Sequence, residues 1–280
     1  MTRQISFDWL DIPVSPRVVF ETSPLSLALC QIRFPPVLSI AKQDWVAPFQ
    51  EAIREDYPNG SPIQQNVQVQ IQLSGASSVA SSTGPAAWRF ADLEDNWAVT
   101  LATDSVALET RAYQDFDDFL RRLDQMLHVL VQFVHPAITT RLGLRYINEL
   151  RPGHNDWPSV IRPELLGAVA VPQFSTRTVQ SVQQLALRDA EGAGINVNHG
   201  VFPEGTIVNP RPGDSISEGP FYLLDLDVFQ EFSRRDVLPI NVALICQRVE
   251  TYHDAISRLF RWSITENFAS TLGRRNDGIG

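Results

Sequence analysis

Residues 138–150, Ile-Thr-Thr-Arg-Leu-Gly-Leu-Arg-Tyr-Ile-Asn-Glu-Leu, decide how the rest of the chain is read. Period two puts Arg141, Gly143, Arg145 and Ile147 on one face and Leu142, Leu144, Tyr146 and Asn148 on the other, so the stretch predicts a strand. Pro136 closes a long helical pattern just before it, and from here the order of elements starts again.

Working back toward the N-terminus, Asp115 caps a helix whose apolar positions Phe116, Phe119, Leu120, Leu123, Leu127, Leu130 and Val134 recur at helical spacing. Strands are predicted at 88–90, 97–101 and 106–110. The run 67–73 is another, with Val67, Val69, Ile71 and Leu73 opposed to three glutamines. Ser74 to Pro85 reads as a low-complexity hairpin loop. A helix over 41–56 is stopped by Tyr57-Pro58-Asn59-Gly60, and a strand over 25–34 by Pro35-Pro36. Working forward, a short helix over 156–166 precedes a hairpin of 174–188 and 195–202 around Gly192-Ala193-Gly194. A Pro/Gly-rich loop over 203–220 leads to the strand Phe221 to Phe229. A final helix over 239–268 has the seam Val242, Cys246, Val249, His253, Ile256 and Phe260.

The order predicts an α+β protein of two halves, 25–136 and 137–268, each β-α-β4-α. Residues 1–24 form an extended lead-in and 269–280 a flexible tail. In topology each half resembles the TATA-binding-protein-like fold. The two sheets are expected to join into one mainly antiparallel, curved sheet with helices on one face and the other partly open. Such an analogy carries no function.

Composition narrows the function classes. The chain has 280 residues, 44% hydrophobic, enough to bury a sizeable core. It carries 23 Lys and Arg against 32 Asp and Glu, net −9, with Arg121-Arg122, Arg234-Arg235 and Arg274-Arg275 as its tight basic pairs. Without a basic stripe, nucleic acid is not expected as a direct partner. No run approaches a membrane span, no signal peptide is read at the N-terminus, and the cytoplasm is the expected compartment. Cys30 and Cys246 lack CxxC spacing and read as small buried hydrophobes in a reducing environment.

The segment Arg141-Leu-Gly-Leu-Arg-Tyr-Ile-Asn148 resembles the RxGLRYIN signature of a sporadically distributed bacterial family of uncharacterised proteins of about this length. Pro24-Leu25, Ile32-Arg33-Phe34, Tyr57-Pro58, Leu108 to Tyr113 and Leu224 to Asp227 agree with it in order, so the resemblance covers about Pro24 to Phe268. It implies no particular reaction or cofactor. The family's patchy distribution implies mobile loci of the kind that carry defence or toxin–antitoxin genes.

The residues that could carry chemistry are few. Arg141 and Arg145 share a face at i, i+4, and Asp225 and Asp227 share one at i, i+2 in the strand 221–229. If those strands are neighbours, the aspartates orient the arginines in a groove for an anion or peptide, with Gly143 leaving room between them. The structural alternative is an ion-pair ladder. Arg141, Arg145, Asn148, Asp225 and Asp227 are therefore the candidate ligand- or partner-binding residues. No catalytic residue, metal ligand or cofactor is predicted: the five histidines are scattered, and neither a GxSxG elbow nor a phosphate-binding glycine loop occurs. His253 reads as a hydrogen-bonded core histidine.

Two functions follow. The first is a non-enzymatic protein-binding module, antitoxin-like or accessory to a defence locus, which docks a protein through its sheet, sheet edges and the loops 74–86 and 203–220. Homodimerisation is a further expectation, with pairing of free sheet edges as only one route to it. The alternative is a small-ligand sensor or enzyme using the Arg/Asp face.

Overall fold

The computed structural model describes residues 6–13, 20–64, 71–72, 86–152, 156–190, 192–208, 219–233 and 237–273. β1 (Leu25–Arg33) ends just before Pro35-Pro36, and α1 (Gln43–Ile53) follows a 3-10 turn. There follow β2 (Asn59–Gln64), β3 (Ile71–Gln72), β4 (Ala86–Ala91), β5 (Trp97–Ala102), β6 (Ser105–Thr110) and α2 (Phe116–Phe133). Next come β7 (Ile138–Thr139), β8 (Arg141–Leu150), α3 (Pro163–Leu166), α4 (Pro172–Ser175), β9 (Gln183–Arg188) and β10 (Ala193–Phe202). β11 (Ile207–Val208), β12 (Phe221–Glu231), β13 (Leu238–Pro239), α5 (Val242–Ser263) and α6 (Glu266–Thr271) complete the chain. The Asp115 carboxylate caps α2 by accepting the Asp118 N–H at 2.8 Å, and Asn241 caps α5 by accepting that of Leu244 at 2.9 Å.

Nine strands form one open sheet in the order β2-β4-β5-β6-β1-β8-β12-β10-β9. Every neighbouring pair in it is antiparallel. The expectation of an α+β protein with a mainly antiparallel sheet thus holds. β1 and β8 lie side by side at the centre, so the stretch 141–150 joins the first part of the chain to the second. After β8, the described chain adds β9, β10 and β12 to this sheet, three strands where four were expected. β11 instead pairs with β3, and β13 with β7.

The alternation seen in 138–150 sorts the two faces. Cys30 and Ile32 of β1, Val99 and Leu101 of β5, Leu142, Leu144 and Tyr146 of β8 and Leu224, Leu226 and Val228 of β12 point into one large core. The helices cover that face. Phe49 of α1 meets Phe90 of β4 at 5.9 Å between ring centroids, Phe119 of α2 meets Trp97 of β5 at 5.9 Å, and His253 of α5 meets Tyr146 of β8 at 5.9 Å. On the opposite face Leu27, Ile147, Phe202, Phe221 and Leu223 make a second, smaller cluster, with Val208 of β11 packed on it.

Several local expectations need correction. Phe174 lies in α4, so the hairpin begins only at Gln183. The last helix stops at Ser263, because residues 160–162 and 263–265 pair there: Ile161 bridges Ile264, Arg162 N–H donates to Ser263 C=O at 3.0 Å, and Thr265 N–H donates to Val160 C=O at 2.9 Å. Its buried arc is broader than the heptad seam. Ile245, Arg248, Tyr252, Ala255 and Leu259 are buried beside Val249, Ile256 and Phe260, whereas Val242, Cys246 and His253 are half-buried. The lead-in is anchored, since Phe7 is buried with its ring 5.8 Å from Tyr252. At the other end Ala269 and Leu272 are buried, so the tail begins no earlier than Gly273. Most of the expected 67–73 strand, the loop 74–85 and residues 209–218 lie outside the described residues, as does the tail from residue 274.

Candidate functional site

β8 and β12 are neighbours, and their register sets Arg145 opposite Asp227 and Ile147 opposite Asp225. The side chains pair on the diagonal. Arg145 donates from Nε to Asp225 Oδ1 at 2.7 Å and from Nη2 to Oδ2 at 2.6 Å, a bidentate fork. Arg141 reaches past the row of Gly143 to Asp227, with Nη2 at 2.8 Å from Oδ2 and 3.1 Å from Oδ1. The next strand continues the network: Asn198 Nδ2 donates to Asp225 Oδ2 at 3.0 Å and Asn196 Nδ2 to Asp227 Oδ2 at 3.2 Å. Arg188 of β9 donates to Asn196 Oδ1 at 3.0 Å. Phe229 lies beneath two guanidinium groups, those of Arg141 at 4.5 Å and Arg188 at 4.6 Å.

Both aspartates therefore have their oxygens engaged by neighbours, and both pairs are largely shielded. The Asp225 side chain is 3% exposed and that of Arg145 22%. Burial alone disfavours the Arg145 charge, but the bonds and charges of Asp225, with Asp227 behind, outweigh it and raise its pKa. The space above Gly143 is already filled: a Cβ there would stand 2.6 Å from Arg141 Nη1, so the glycine makes room for this arginine. Asn148 is not part of the network. It is buried on the helix-covered side, where its Nδ2 donates to the Leu224 carbonyl at 3.1 Å.

Asn196, Asn198, Arg188 and Phe229 were missed in the sequence. The two asparagines stand at i, i+2 in a strand, as the two aspartates do, and that spacing was the available signal.

Beneath the sheet, Tyr146 Oη lies 3.0 Å from His253 Nδ1 and 3.2 Å from Tyr113 Oη, and the His253 ring stacks on Phe116 at 3.9 Å. Burial, with Tyr113 adding to it, holds the Tyr146 phenol far above its ordinary pKa. His199 is buried with Nδ1 2.7 Å from Tyr222 Oη, and burial lowers its pKa. Cys30 and Cys246 are free thiols; burial raises both pKa values, that of Cys246 to about 11. Among the described residues no group of three His, Cys, Asp or Glu side chains could hold a metal ion. No helix among them is long and apolar enough to cross a membrane.

A second feature lies at the end of the sheet. β9 has β10 on one side, and no described strand pairs with its other side. Leu185 within it and Val171, Phe174, Val179 and Val182 on the approach are exposed. Gln183 Nε2 donates to the Leu165 carbonyl at 3.1 Å, tying the start of β9 to α3. The sheet and the helices packed on one of its faces define an α+β protein with a nine-stranded antiparallel sheet among the described residues. No protein family's profile matches the chain, and no curated protein matches it in sequence.

Proposed function

We propose that this chain is a protein-binding module without catalytic activity, an antitoxin-like or accessory component of a mobile defence or toxin–antitoxin locus, working in the cytoplasm. The observation that carries the reading is the β9 edge, where a strand whose outer side meets no described strand lies among five exposed large apolar side chains. Such edges recruit strands of other chains unless charge, proline or cover blunts them. The Arg/Asp face supports the same choice from the other side: its aspartate oxygens are engaged by arginines and asparagines, which weakens the small-ligand alternative. The same pairing neutralises Arg141 and Arg145, in keeping with a partner other than nucleic acid.

This reading includes the RxGLRYIN kinship and a duplicated β-α-β4-α ancestry of TATA-binding-protein-like order. The ancestry is supported by the central β1–β8 pair, from which β6, β5, β4 and β2 extend one way and β12, β10 and β9 the other.

Native mass spectrometry of the protein purified from its own host tests it. A stoichiometric protein partner, a second copy or another gene product, is the expected result. A bare monomer of 31.4 kDa overturns the reading. A retained small molecule transfers the function to the Arg/Asp face.

A further inference from the structure

We infer that the β9 edge is occupied by β9 of a second copy, so that two nine-stranded sheets join into one across a twofold axis. The inference rests on the reading of that edge as a protein-binding surface and names its occupant.

The ladder itself orients the edge. Ser181 N–H donates to Val201 C=O at 2.9 Å and Asp189 N–H to Ala193 C=O at 2.9 Å, so the odd-numbered residues between them exchange bonds with β10. The even-numbered residues Val182, Gln184, Ala186 and Arg188 then present N–H and C=O outward. A twofold axis perpendicular to the sheet at Ala186 pairs these residues with their own kind, Ala186 with Ala186 and Gln184 with Arg188, and keeps the helices of both copies on one side.

The side chains in that register are self-complementary. Leu185 meets Leu187, Val182 meets Ala190, and both charged residues, Arg188 and Asp189, meet glutamines, Gln184 and Gln183. Residues 178–187 carry no charge at all, within a chain of net charge −9. Within the paired segment 182–190 the charges are Arg188 and Asp189, opposite in sign and each set across from a glutamine, so no like charges face each other between the copies. The opposite end of the sheet is built differently. β2, at the other end of the described sheet, contains Pro62, which has no N–H to offer a further strand and so blunts that edge. One blunted edge and one unblunted edge favour a closed dimer over an open filament.

The test uses the full chain with Ala186→Lys and Ala186→Glu, both at an exposed side chain. Light scattering on the wild type is expected to give twice 31.4 kDa. Each variant alone is expected at half that mass with an unchanged thermal transition, and their mixture should recover the dimer as a one-to-one heterodimer. Wild-type protein that is monomeric, or variants that remain dimers, overturn the inference. Pull-down from the host separates this failure from that of the parent reading. A monomer whose host partner is lost on Ala186→Lys leaves the protein-binding function standing without the second copy. A monomer that retains no protein in either form overturns both.

Discussion

At the scale of single residues, burial decides what each charge is worth. Asp225 is almost fully buried with Arg145 as its bidentate partner, and removing either takes the fork away from a charge held in a shielded place. Asp225→Ala is expected to cost about 3–5 kcal/mol in urea unfolding, while the double change Arg145→Met with Asp225→Leu should cost less than either single change. A double variant as unstable as the sum of the singles contradicts that account. His199 makes a pH prediction. Burial lowers its native pKa below the ordinary 6.5, so between the two values the unfolded chain binds a proton that the native chain does not. Stability is therefore complete above 6.5 and falls as pH drops from 6.5 toward the native value. Urea midpoints measured down through this range should fall less steeply for His199→Gln than for the wild type.

At the scale of elements, β9 is the piece most exposed to failure, because one glycine seats its lead-in. Gly200 has φ +149°, and a Cβ there would fall 1.8 Å from the Ser181 carbonyl oxygen. Backbone cannot yield as a flexible side chain does, so Gly200→Ala should cost about 3 kcal/mol or more and speed amide exchange in 181–188 first. Gly143→Ala meets only the tip of Arg141, and its cost should be smaller. If the two variants lose equal stability, the distinction between backbone and side-chain contact is wrong. The helices were more legible than the edge. Asp115 and the Phe116–Leu130 stripe specified α2 almost to the residue, because capping and a narrow apolar stripe are local properties. The end of α5 was not legible, because Ile264 leaves the helix to bridge Ile161, a contact about a hundred residues away in sequence.

At the scale of the molecule, one core cluster contains residues from Phe7 to Leu272, and the sheet runs unbroken through the β1–β8 pair. The two parts of the chain share this core, so they are expected to unfold in one transition with coincident fluorescence and circular-dichroism midpoints, and residues 25–136 and 137–268 should not fold when expressed apart. Two resolved transitions contradict that view. The sequence alone determined which residues alternate, where α2 begins, and that Arg141, Arg145, Asp225 and Asp227 lie in strands with matching faces, because periods of 2 and 3.6 are written in neighbouring residues. Only the tertiary structure decided that those strands are adjacent, that Asn196 and Asn198 complete their network while Asn148 turns away, and that β9 is left at an edge. Strand order and register are set by which surfaces bury together across long separations, and no local pattern carries that information.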